Sequence, residues 1–174
     1  LNTALTNATT GTDALTLTIN DTSLTSVSDL LALDGKTNVA VNASSVNSIS
    51  ETIANLNTAY NSAGISGLGN ENISITNTGT ITAAQINDLL GETSGTITLV
   101  GSGNLAITMT SGQTLDLSGI TNSLSGNLSI TDSTGNETII GTSANDTLTL
   151  SSGNDTVNLG DGSDVINTTI ANLN

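Results

Sequence analysis

The stretch TIIGTSANDTLTLSSGNDTVNLGDGSDVIN, residues 138–167, repeats with a period of nine. Asp146, Asp155 and Asp164 keep that spacing, and an aliphatic comes two places after each, at Leu148, Val157 and Ile166. The period extends back to about Ser123, in the blocks SLSGNLSIT, DSTGNETII, GTSANDTLT, LSSGNDTVN and LGDGSDVIN. Their fourth position is Gly126, Gly135, Ala144, Gly153 and Gly162, and their fifth is Asn127, Asn136, Asn145, Asn154 and Ser163. The sixth changes from Leu128 to Glu137 and then to the three Asp residues, while the eighth stays aliphatic from Ile130 and Ile139 onward.

A nine-residue period leaves room for about three strand residues per block, with position eight inward and position seven outward. The remainder must reverse the chain, and Gly and Asn suit turns that need positive φ. One inward aliphatic per block makes no core alone, but stacked blocks do. The repeat therefore predicts a solenoid of short parallel strands. Stacking also lines up the sixth-position carboxylates, which repel one another. A hard cation resolves this, because Ca²⁺ takes six to eight oxygens at roughly 2.3–2.6 Å from carboxylates and carbonyls. The competing reading is a metal-free solenoid held by Asn and Thr ladders, with the Asp residues as turn formers.

These blocks resemble the repeats-in-toxin (RTX) family, whose nonapeptide is G-G-x-G-x-D-x-U-x with U a large aliphatic. The fit covers residues 132–167 and is good from Gly141 onward. In that family two nonapeptides make one turn of a parallel β-roll, with Ca²⁺ between turns stacked on the same edge. The resemblance implies Asp146, Asp155 and Asp164 as metal ligands. It stacks the loop ending at Asp146 on that ending at Asp164, and the loop ending at Asp155 on that ending at Glu137. Asp161 is a further acid that either binds or is solvated. The leading Gly-Gly pair is replaced by Gly-Thr, Leu-Ser and Leu-Gly, so one to three ions are expected.

Upstream, LNTA occurs at 1–4 and again at 56–59. Similar segments succeed the two copies: LTLTINDT (15–22) or ISITNT (73–78), then TSVSDLLALDG (25–35) or TAAQINDLLG (82–91). The latter pair have apolar residues at helical spacing, a start signal (Ser26 with Asp29, Thr82 with Gln85) and a closing Gly. Strands are expected at NVAV (38–41) and TITLV (96–100), and a third helix over 48–60 with Ser48 and Glu51 as a capping box. SGNLAIT (102–108) nearly repeats SGNLSIT (125–131), which relates the two halves. The LNTA-type units resemble tandem repeats of very large bacterial surface proteins, including the phrase AGISGLGNE (63–71).

Composition narrows the function. Fifteen acids against the single base Lys36 give a net charge of −14, leaving no basic patch for nucleic acid. With no His and no Cys, the usual nucleophile–base pairs and transition-metal sites are absent. No apolar run approaches the roughly 18 residues of a membrane span. One aromatic residue implies a thin, aliphatic core. A chain that does not start with Met is expected to be a fragment or a processed product.

The sequence thus predicts a mainly β protein, with a parallel β-solenoid or β-roll preceded by tandem strand–short helix–strand repeats. The expected units are 1–55, 56–122 and 123–174. The expected metal ligands are Asp146, Asp155, Asp164, Asp161 and Glu137, with calcium as cofactor and no catalytic site. The function expected is a calcium-stabilised structural segment of a secreted bacterial surface protein: surface layer, filament or adhesin stalk. The RTX resemblance implies type I secretion to the extracellular space. The phrase TIANLN at 52–57 and 169–174 suggests head-to-tail contact with another copy or the next module. A glycan or surface anchor is the alternative partner, through loops such as 62–72, and ice binding by outward Thr is a further alternative.

Overall fold

Every strand pairing among the described residues is parallel, as expected of a chain that keeps returning in one direction. The computed structural model describes residues 13–169. The chain begins with β1 (Ser23–Leu24), α1 (Val27–Asp34), β2 (Val41–Asn42), β3 (Ser48–Glu51), α2 (Ile53–Tyr60), β4 (Ile65–Ser66) and β5 (Asn72–Ile75). It continues through β6 (Gly79–Thr82), α3 (Ala83–Leu90), β7 (Ile97–Gly101), β8 (Leu105–Thr108), β9 (Thr114–Asp116) and β10 (Ile120–Leu124). The nonapeptides supply β11 (Leu128–Thr131), β12 (Thr138–Ile140), β13 (Asp146–Thr149), β14 (Thr156–Asn158) and β15 (Val165–Asn167).

Two sheets have five strands, ordered β1-β3-β5-β7-β10 and β6-β8-β11-β13-β15. A third runs β9-β12-β14, and β2 pairs with β4. These are open sheets rather than a closed solenoid. From β11 onward, successive strands alternate between the second and third sheets. Partner residues reveal the length of each return: Ser23 with Ser48, Ser48 with Asn72, Ile73 with Ile97 and Ile97 with Ile120 are steps of 25, 24, 24 and 23. Leu128 with Asp146 and Thr147 with Val165 are steps of 18, two nonapeptides. The upstream return is therefore near 24 residues; the first LNTA phrase lies outside the described residues, and the second falls in α2. Asn55 lies in α2, between the paired strands β3 and β5, and residues 122 and 123 lie in β10. SGNLAIT and SGNLSIT lie side by side, Leu105 against Leu128 and Ile107 against Ile130.

One aliphatic core runs from Leu17 to Leu159. Ile81, Ile107, Ile130 and Leu148 form one buried column, and Leu115 with Ile139 forms another. Fully burying each such side chain contributes about 1.5–3 kcal/mol. Position eight is therefore inward, although Ile166 in the last strand is 49% exposed. Position seven alternates sheets along the sequence, so the outward residues that stack are Thr80, Ala106, Ser129, Thr147 and Val165.

Each helix buries residues three apart: Val27, Leu30 and Leu33 in α1, Ile53, Leu56 and Ala59 in α2, and Ala83, Ile86 and Leu89 in α3. The helices stack in order, and α3 packs against β9, so one side of the ladder changes there from helix to strand. The expected capping box forms at Thr82 and Gln85. At α1 it does not: Ser26 bonds the Ser28 hydroxyl, and Glu51 Oε2 accepts the Val27 N–H at 3.3 Å. The box expected at Ser48 and Glu51 is instead strand β3, because Ile49 is needed in the core; α2 starts at Ile53, whose N–H is accepted by Asn77 Oδ1 at 2.6 Å. Of LTLTINDT, only Thr18 bridges, to Asn42, and NVAV contributes Val41 alone to a strand.

Candidate metal centre

The turns between nonapeptide strands stack along two edges. On the first edge, the turn over 132–137 lies beside that over 150–155. Gly135 N–H donates to Ser152 O at 3.0 Å, and Asn154 N–H to Asn136 Oδ1 at 3.0 Å. On the second, the turn over 141–146 lies beside that over 159–164, with Gly141 N–H donating to Asn158 O at 2.8 Å and Ser163 N–H to Asn145 Oδ1 at 2.7 Å. Fifth-position Asn thus acts as a rung-to-rung ladder, and no non-glycine described residue has positive φ. The fourth-position glycines answer mainly to crowding. A Cβ on Gly153 would fall 1.4 Å from Gly135 O, so no side chain fits between these turns.

Position six faces inward. Asp146 pairs with Leu128, and Leu128 with Leu105, so the acid continues a leucine column. Glu137 and Asp146 are each only 1% exposed, whereas Asp155 and Asp164 are half-buried. A buried carboxylate is costly unless it is neutralised, hydrogen-bonded or metal-bound. The sole base, Lys36, comes just after α1 and is remote in sequence from these turns.

The expected pairs come together. Asp155 Oδ1 accepts the Glu137 N–H at 2.9 Å, and Asp164 Oδ1 accepts the Asp146 N–H at 3.0 Å. The structure adds Asp132, whose ligand oxygen lies with those of Glu137 and Asp155, all within 4.8 Å of one another. This is the one group of three acids close enough to hold a metal among the described residues. Glu137 Oε1 accepts from Gly112 N–H (2.7 Å) and the Ser133 hydroxyl (3.1 Å), and Asp132 Oδ2 accepts from Ser151 N–H (3.0 Å). Their other oxygens, Asp132 Oδ1 and Glu137 Oε2, are buried without a hydrogen-bond partner. Donor-poor carboxylate oxygens of this kind fit a hard cation.

On the second edge, Asp146 is already satisfied: Oδ2 accepts the Thr142 N–H at 2.8 Å, and the Thr142 hydroxyl reaches both oxygens at 3.1 and 3.2 Å. Burial pushes the Asp146 carboxyl above the usual carboxylate range, against the lowering effect of Thr142 and with the help of Asp164. Asp161 is exposed and lines an open cavity of about 420 Å³ with Ser118, Thr142 and Gly160. Asp132 escaped the sequence reading because it stands at the first position of its block, outside the motif. Its one sequence signal is its place five residues before Glu137.

The model of the family described as RTX calcium-binding nonapeptide repeat (4 copies) matches residues 131–166. Neither the curated proteins nor the solved structures provide a match for the chain. RTX nonapeptide repeats bind calcium and occur in secreted proteins, and no described helix is long and apolar enough to cross a membrane. The matched residues contain the whole of the three-acid cluster, and the ion they fit is Ca²⁺.

Proposed function

We propose that the chain is a calcium-stabilised structural repeat segment of a secreted bacterial cell-surface protein, a surface layer, filament or adhesin stalk. In this reading residues 123–174 form a β-roll whose turns are tied by calcium. Glu137 and Asp155 hold the ion on one edge and Asp146 and Asp164 on the other, with Asp161 beside the second. The segment performs no catalysis, leaves the cell by a type I route, and meets another copy or the next module head to tail. The observation that carries the reading is Glu137 Oε2: buried, without a donor, and part of a carboxylate group drawn within 4.8 Å. Binding is then coupled to folding, because the unmetallated acids repel and hold the turns apart.

Hydrogen exchange with calcium and with excess EGTA tests it. Protection across 132–167 is expected to fall on chelation, while the ladder over 72–108 keeps its own. Unchanged protection across 132–167 overturns the calcium reading.

A further inference from the structure

The two stacked edges carry similar motif acids but treat them differently. On the first edge each carboxylate spends one oxygen on the neighbouring backbone. Ser151 N–H holds Asp132 Oδ2, Gly112 N–H holds Glu137 Oε1, and Glu137 N–H holds Asp155 Oδ1. These bonds fix the side chains while Asp132 Oδ1 and Glu137 Oε2 remain without donors. Asp132 is 8% exposed and Glu137 1%, so neither free oxygen has bulk water to solvate it. Three carboxylates, two of them with a buried oxygen that has no donor, make a site whose calcium affinity rises with ligand charge.

The second edge has two motif acids, and its buried member is occupied. The Thr142 hydroxyl and N–H contact both oxygens of Asp146. The same hydroxyl accepts the Ala144 N–H at 3.2 Å, which pins it in place. An ion at Asp146 must displace or share these donors. At Asp132 a donor holds Oδ2 alone, and Oδ1 is left without one.

We infer that the two edges hold calcium unequally: Asp132, outside the nonapeptide motif, completes a strong three-carboxylate site with Glu137 and Asp155, whereas Thr142 occupies Asp146 and weakens the opposite edge. This inference rests on the proposed calcium binding. It makes Asp132 a ligand and Thr142 the residue that sets the difference between the edges. The first edge fills at low calcium, and the last turns tighten only at higher calcium.

Calorimetric titration of calcium into the full, chelator-stripped chain tests it. Wild type should show two classes of site separated by at least about tenfold in affinity, given the charge difference. Asp132→Asn keeps the acceptor for Ser151 N–H and removes the charge. It should weaken the strong class by at least about tenfold and leave the weak one unchanged. Thr142→Val keeps the β-branched shape without the hydroxyl, and should tighten the weak class alone. One uniform class in wild type, or an Asp132→Asn titration identical to wild type, overturns the inference while leaving calcium binding intact. Should Asp132→Asn disturb the fold by circular dichroism, Thr142→Val decides instead, and an unmoved weak class overturns the inference. Wild type that takes up no calcium at millimolar concentration overturns the calcium reading itself.

Discussion

Tyr60 is the chain's only aromatic residue, so a phenolate titration monitored by absorbance reads a single site. Its hydroxyl donates to Glu71 Oε2 at 2.7 Å, and Glu71 is fully buried, its oxygens also accepting from Gly69 N–H at 2.8 and 3.1 Å. Burial, and then the Glu71 carboxylate as acceptor and neighbouring charge, push the Tyr60 phenol well above its ordinary value. The unfolded phenol ionises near 10, so the folded protein binds the proton more tightly than the unfolded chain. This contribution to stability is complete below about pH 10 and is lost as pH rises through the folded value. The expected outcome is no phenolate signal from native protein at about pH 10–11, where the free side chain is already ionised. In Glu71→Gln the transition should move down toward the ordinary value. A wild-type titration at the ordinary value would contradict the buried pairing. At the metal edges the same scale decides a different matter: an inward carboxylate replaces a leucine of the same column, and Thr142 supplies the donors to the Asp146 carboxylate.

At the scale of elements, stacking distance governs the turns. Gly153 has ordinary φ, yet its Cβ position is filled by the Gly135 carbonyl, so Gly153→Ala must push two turns apart. Gly91, after α3, has nothing within 4 Å of its Cβ position. Thermal melts in calcium should show Gly153→Ala losing about 1–3 kcal/mol and Gly91→Ala changing little; equal effects would mean that the turns are not in contact. Elements whose cause is local were legible in the sequence. The α3 cap is one, because Thr82 and Gln85 sit three apart; the inward aliphatics at position eight are another. The illegible features come from neighbours brought in by stacking. Asn77 caps α2 from 24 residues away, and Asp132 joins Glu137 and Asp155 only when the turn over 150–155 lies beside its own. The 24-residue return was also hidden, because its turns change content, from helix to strand, while keeping length.

At the scale of the whole molecule, the ladder ends at β15 among the described residues, and Val165 and Ile166 are 50% and 49% exposed there. β15 pairs with β13 and has no partner on its outer side among the described residues. An open parallel edge with exposed aliphatics is a template for another strand. The phrase TIANLN at 169–174, which suggested head-to-tail contact, lies outside the described residues except for Thr169. If the proposed self-association uses this edge, sedimentation in calcium should show concentration-dependent assembly that Ile166→Lys abolishes. Assembly unaffected by Ile166→Lys would place the contact elsewhere. The change of return length has its own consequence under tension. Each rung advances the ladder by about 4.7–4.9 Å, whether its turn uses 24 residues or 18. Fully drawn out at about 3.4 Å per residue, a wide turn yields about 80 Å of contour and a narrow one about 60 Å. Pulled from its ends, the chain should therefore lengthen in two sizes of step. Calcium should raise the force needed for the short ones only, so that the wide turns give way first and act as the extensible reserve of the segment.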